Sequence, residues 1–137
     1  MDALSVRFLL IHGTIVLLVG ILAGIPFWIG IIRGGQSANI RGWRVEHASL
    51  IGCGLMMLVV SLASSHLALS TVLGALLRWA LAISGYSFAL ALTVGAATGR
   101  RGLTPRSNAF DTLLIIGHAL GAVGATVGVC VFLYGLL

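Results

Sequence analysis

Residues 8–32 read FLLIHGTIVLLVGILAGIPFWIGII, twenty-five consecutive positions without a charged side chain. About 20 apolar residues suffice to cross the hydrocarbon core of a bilayer as a helix. The run is too long for the apolar core of a signal peptide, roughly 7–15 residues, and no small-residue cleavage site follows it. It reads as a retained first membrane helix. Three further uncharged runs, 47–77, 79–99 and 112–137, repeat the pattern. Four helices are therefore expected, at about 4–33, 42–65, 70–98 and 110–137, and they use nearly the whole chain. The expected fold class is all-α, an integral membrane four-helix bundle in one domain with no room for a soluble one.

Composition agrees. Of 137 residues, 59% are hydrophobic and only 8% charged, and the mean hydropathy is +1.14. A soluble domain carries about 25% charged residues, so this chain lacks the means to cover itself with a solvated surface. The net charge of +5 comes from arginine alone, since there is no lysine. In a soluble protein such a balance points to nucleic acid. Here the arginines stand at helix ends, which excludes that partner in favour of membrane lipid. Arg33, Arg41 and Arg44 lie between the first two helices, and Arg100, Arg101 and Arg106 lie between the last two. The opposite side has only Arg7 and Arg78. The positive-inside rule places the two arginine-rich loops in the cytoplasm and both termini outside, in an inner or plasma membrane.

Local signals refine the picture. Pro26 is expected to kink helix one, and Pro105 blocks helix continuation in the second inner loop. Small residues recur four apart at Gly20 and Gly24, Gly95 and Gly99, Gly117 and Gly121, and Gly124 and Gly128. Such spacing lets helix backbones approach closely in lipid, and two pairs on helix four make it a packing spine. Cys53 and Cys130 fall in different apolar segments and form no C-x-x-C-H unit, so covalent haem attachment is excluded. The plain reading of both is a small buried hydrophobe, and it is the stronger reading for Cys130.

The four histidines differ in depth, at about 1.5 Å of rise per residue. His47 lies near the cytoplasmic end of helix two and His118 enters helix four from the same side. His12 is near the opposite face, and His66 falls in the outer turn, where it meets water. His47 and His118 are the pair expected to share a site within one protomer. The simplest role for an intramembrane histidine is a hydrogen bond to a neighbouring helix, and that reading stands for His12 and for His118. His47 has surroundings that also suit a tetrapyrrole. Trp43 precedes it by one turn, Ala48, Ser49, Gly52 and Gly54 leave space, and Met56 and Met57 supply apolar walls. Arg41 and Arg44 stand at the same mouth, where they would meet propionates. Neutral imidazole is a common haem ligand. Zinc and di-iron sites need several ligands, and the only acids are Asp2, Glu46 and Asp111. Glu46 is expected to pair with Arg44 or Arg101 at the membrane surface. Asp111 is placed to favour the N-terminus of helix four through the helix dipole.

The two polar clusters resemble the styrene oxide isomerase family. Trp43, His47, Gly54, Met56 and Met57 match its helix-two pattern of a tryptophan, a histidine and Gly-Met-Met, with one residue intervening. The more specific match is Arg101-Gly102-Leu103-Thr104 followed by Asn108 and Phe110, and His12-Gly13 also has a counterpart. The resemblance implies a small four-helix membrane enzyme that holds haem b at a subunit interface of a homotrimer. It implies His47 as the axial ligand of the haem iron, and Arg101 and Asn108, with Trp43 and Arg44, around the cofactor. The implied reaction is the rearrangement of a small lipophilic epoxide to a carbonyl compound by a 1,2-hydride shift. Ferric iron acts as Lewis acid and no external reductant is consumed. Two positions depart from the family. Its asparagine six residues after the histidine is Cys53 here, and its helix-three tyrosine nine residues before the arginine is Leu92. Tyr86 aligns with a family tryptophan. Cys53 and Leu92 thus mark the substrate pocket without its polar groups, which leaves the substrate open. Two other classes remain: an electron-transfer or non-catalytic haem protein, and a haem-free structural membrane subunit.

Overall fold

The structure is a computed structural model, and it describes residues 3–35, 38–100 and 109–137. The order is α1 (Ala3–Ile32), α2 (Ala38–Ala63), one 3₁₀ turn (Ser64–His66), α3 (Thr71–Thr98) and α4 (Ala109–Leu136). Among the described residues there is no strand, and the fold is all-α. All four α-helices are long and apolar enough to cross a membrane.

α2 begins at Ala38, four residues before the expected start at Gly42, because the polar residues ahead of Gly42 have helical work to do. Ile40 packs over Gly30 and Gly35, and Asn39 Nδ2 donates to the Ala97 carbonyl at 2.9 Å. α1 continues through Pro26 as one helix. It ends where Gly34 turns left-handed (φ 67°), with Gly34 N–H on Ile31 O and Gly35 N–H on Gly30 O. α3 ends the same way at Gly99 (φ 70°), with Gly99 N–H on Ala96 O and Arg100 N–H on Gly95 O. This double bond pattern satisfies carbonyls that a helix end leaves unpaired, and its left-handed residue favours glycine. At its start α3 is capped by Ser70, whose Oγ accepts from Leu73 N–H.

Packing follows small residues placed seven apart or nearly so. On the α1–α2 seam, Gly13 faces Met57, Gly20 faces Leu50 and Ile51, and Leu17 lies over Gly54. On the α3–α4 seam, Gly117, Gly121, Gly124 and Gly128 receive Ala91, Phe88, the Ala80–Ser84 backbone region and Leu81 in turn. The glycine pairs on α4 thus form one continuous face, as a packing spine requires. Lipid tails are as apolar as leucine, so close van der Waals contact and interhelical hydrogen bonds must hold the helices together. Two such bonds are Ser61 Oγ to Val6 O and Ser84 Oγ to Gly121 O, each 2.6 Å.

α3 is the central element. It packs against α1, α2 and α4, whereas α4 leans chiefly on α3. This leaves a cleft between α2 and α4 with α3 as its floor. The outward surface is apolar, including Ile21, Leu22, Ile25, Trp28, Val59, Leu62, Val123 and Leu133, as a lipid-facing surface should be.

Candidate functional site

Leu50, Gly54 and Met57 fix which side of α2 meets α1, and that register turns His47 toward α1 as well. Its Nδ1 lies 2.8 Å from the Gly20 carbonyl oxygen. A carbonyl only accepts, so in the neutral ring Nδ1 carries the proton and Nε2 keeps the lone pair. No hydrogen bond to a described residue occupies Nε2. A backbone carbonyl on the far nitrogen is the usual support of a metal-ligating imidazole. The ring rests on Gly24, where a Cβ would stand 2.9 Å from Cε1 and 3.0 Å from Nδ1. Phe27 lies beside it, with ring centroids 6.4 Å apart. Trp43, one turn earlier, is half-buried, and Arg44 is exposed.

The α2–α4 cleft holds a cavity of about 330 Å³. Val45, Ala91, Leu92 and Ala96 supply apolar wall, Arg41 and Arg100 are cationic, and His118 presents an imidazole. Arg100 also pairs with Asp111 at 3.4 Å and lies over the Phe110 ring. The first turn of α4 is thereby tied to the end of α3, and Asp111 stands at the helix N-terminus as its charge prefers.

His47 and His118 do not share a site within the protomer, contrary to the expectation from their depths. Val45 is about 160° around α2 from His47 on a helix of 3.6 residues per turn. The histidine that meets α1 and the residues that line the cavity therefore lie on opposite sides of the same helix. Depth along the membrane normal carries no information about direction around the helix.

The two substrate-pocket candidates also separate. Leu92 lines the cavity, whereas Cys53 packs half-buried against the hydrophobic core and is absent from the described lining. Glu46 departs from its expected surface ion pair with Arg44. It is 1% exposed and accepts a hydrogen bond from Thr93 Oγ on α3, while its Oε2 has no partner among the described residues. Arg101 and Asn108, and with them Glu46's other expected partner, lie outside the described residues.

His66 is exposed in the turn between α2 and α3, as expected. His12 has a partner that sequence spacing gave no sign of, since 74 residues separate it from Tyr86, whose hydroxyl lies 2.7 Å from His12 Nδ1. Phe8 contacts both this imidazole, in a tilted pair, and Trp79, edge to face, with centroids at 4.2 and 5.1 Å. The cluster joins α1 to α3.

No curated protein and no solved structure matches the chain. The family model of styrene oxide isomerase matches residues 6–137. That match runs from the first turns of α1 through the end of α4, taking in His47, the cavity and both arginine-rich stretches, and by it the chain belongs to the styrene oxide isomerase family.

Proposed function

We propose that the chain is a haem b-dependent membrane isomerase that rearranges a lipophilic epoxide to a carbonyl compound. The observation that carries the reading is the His47 imidazole, held at Nδ1 by the Gly20 carbonyl with Nε2 left to donate. This is the donor chemistry a haem iron takes, so the residues fit the cofactor. Trp43 and Arg44 stand on the same stretch of α2 for contact with the ring and its propionates, and Arg101 and Asn108 are proposed beside them from the family pattern. Bound ferric haem would supply a Lewis acid for an epoxide oxygen.

The protein's own contribution is placement and dryness. The Gly20 carbonyl holds the Nδ1–H of His47, and the absent side chain at Gly24 lets the Cε1–Nδ1 edge of the ring come close to α1. The cavity walls at Val45, Ala91, Leu92 and Ala96 offer no hydroxyl or carboxylate to trap a carbocation, and apolar wall disfavours the water that would turn rearrangement into hydrolysis. Purified oxidised protein is expected to convert epoxides to carbonyl compounds without a reductant. Absence of a haem absorption band would favour the structural-subunit reading. A haem with protein ligands on both faces and no turnover would favour electron transfer.

The opposed placement of His47 and the cavity around α2 supports a site shared between copies. We propose a homotrimer in which the His47 side of one protomer meets the cavity of the next, with haem b at that interface. Native mass spectrometry from a mild detergent should give a trimer, and monomer alone would contradict it. The arginine-rich loops are proposed to face the cytoplasm. A C-terminal reporter should then be active only on the outer side, and cytoplasmic activity would refute that topology.

A further inference from the structure

Within the proposed isomerase, and resting on that reading, we propose that His118 donates a hydrogen bond to the substrate oxygen in the α2–α3–α4 cavity, beside the contact that bound haem would make. The cavity would then be the site of a small, neutral, lipophilic molecule bearing one oxygen. Three observations lead there. The volume of about 330 Å³ falls at the lower end of small-molecule sites, which run from roughly 300 to 1,000 Å³. Among the described lining residues the only neutral polar side chain is His118, the others being aliphatic or glycine apart from Arg41 and Arg100. The His118 ring makes no hydrogen bond to a described residue and packs near Phe88, centroids 6.4 Å apart. An imidazole at membrane depth with unused hydrogen-bonding capacity and a cavity beside it is a functional candidate.

The same chemistry selects the ligand. A neutral imidazole offers one N–H to an epoxide or carbonyl oxygen, and the aliphatic wall takes the hydrocarbon body. Leu92 brings no polar atom to the cavity, so an oxygen oriented there must find its partner elsewhere on the lining. Cys53 does not reach the described lining, Arg100 is engaged with Asp111, and Arg41 also has a partner of its own. His118 is a substrate-contacting residue on this account, on the helix opposite the α2 wall.

The test uses the purified full chain in detergent micelles, with histidine ring nitrogens labelled for NMR. Titrants are 2-phenylethanol and ethylbenzene, which share a skeleton and differ by the hydroxyl, each corrected for partition into empty micelles. 2-Phenylethanol should shift the His118 nitrogens, leave His66 unmoved, and bind about fivefold more tightly than ethylbenzene, the factor expected of one neutral hydrogen bond. His118→Phe keeps the bulk and removes the nitrogens. It should erase the difference while ethylbenzene affinity is retained, and His118→Gln should recover most of it. Equal affinities in the unmodified chain, or a difference that survives His118→Phe, would overturn the proposal. The titration is repeated on His47→Ala, which separates this inference from the haem reading. A preference that persists there supports an oxygen held by His118 whether or not haem is bound, and one that survives His118→Phe overturns the proposal whatever His47→Ala shows.

Discussion

His47→Ala is expected to purify without haem and with its helical content intact. The imidazole is held in a geometry that leaves a lone pair for iron. Its Nδ1–H is held by Gly20 O at 2.8 Å, and alanine supplies neither nitrogen. The fold should survive because the change removes one interhelical hydrogen bond, worth about 0.6 kcal/mol in a membrane bundle. The α1–α2 seam keeps its contacts at Gly13, Gly20 and Gly54. Absorbance in the haem region and circular dichroism read the two quantities in one sample. His66→Ala, in the exposed turn between α2 and α3, should leave both unchanged. Haem retained at full stoichiometry in His47→Ala would reject the ligand assignment.

Gly54→Ala should be among the most destabilising substitutions in the chain, although it adds a single carbon. That carbon would stand 2.7 Å from Leu17 N and 2.8 Å from Leu17 Cα. These are backbone atoms of the opposing helix, so relief requires α1 and α2 to move apart along the seam that positions His47. Overpacking of this kind costs about 1–3 kcal/mol, and the upper half of that range is expected because no flexible side chain can yield. Gly52 provides the control two residues away. A Cβ there meets nothing within 4 Å, and alanine favours a helix over glycine by about 1 kcal/mol or less. Thermal denaturation in detergent should show Gly54→Ala melting well below the parent and Gly52→Ala at or slightly above it. Equal melting of the two would mean that α1 and α2 do not approach as closely as described.

The reasons for these effects were unequally visible in the sequence. Helix number and membrane character follow from runs such as 8–32, because length without charge is a one-dimensional property. The glycine spacing on α4 likewise announced a packing face. The beginning of α2 did not, since Asn39 and Ile40 look like loop residues until their partners at Ala97, Gly30 and Gly35 are known. His47 was legible as a candidate from its neighbours, yet its direction was not. Direction around a helix is decided by which neighbour packs where, and that is set by Leu17, Gly20 and Gly24 on another segment. The same reason hid the His12–Tyr86 contact and the burial of Glu46 against Thr93. Charge alone sent Glu46 to the surface, whereas a hydroxyl on α3 keeps it inside.

The central claim joins a haem at His47 to epoxide rearrangement, and one measurement addresses both halves. Haem-loaded protein is incubated with a panel of aryl and alkyl epoxides, first oxidised and then reduced with dithionite, and carbonyl product is quantified against bound haem. The account predicts product from the oxidised sample alone, in proportion to bound haem and without consumption of reductant. Equal turnover by haem-free protein, or none by the fully loaded oxidised protein across the panel, would contradict it.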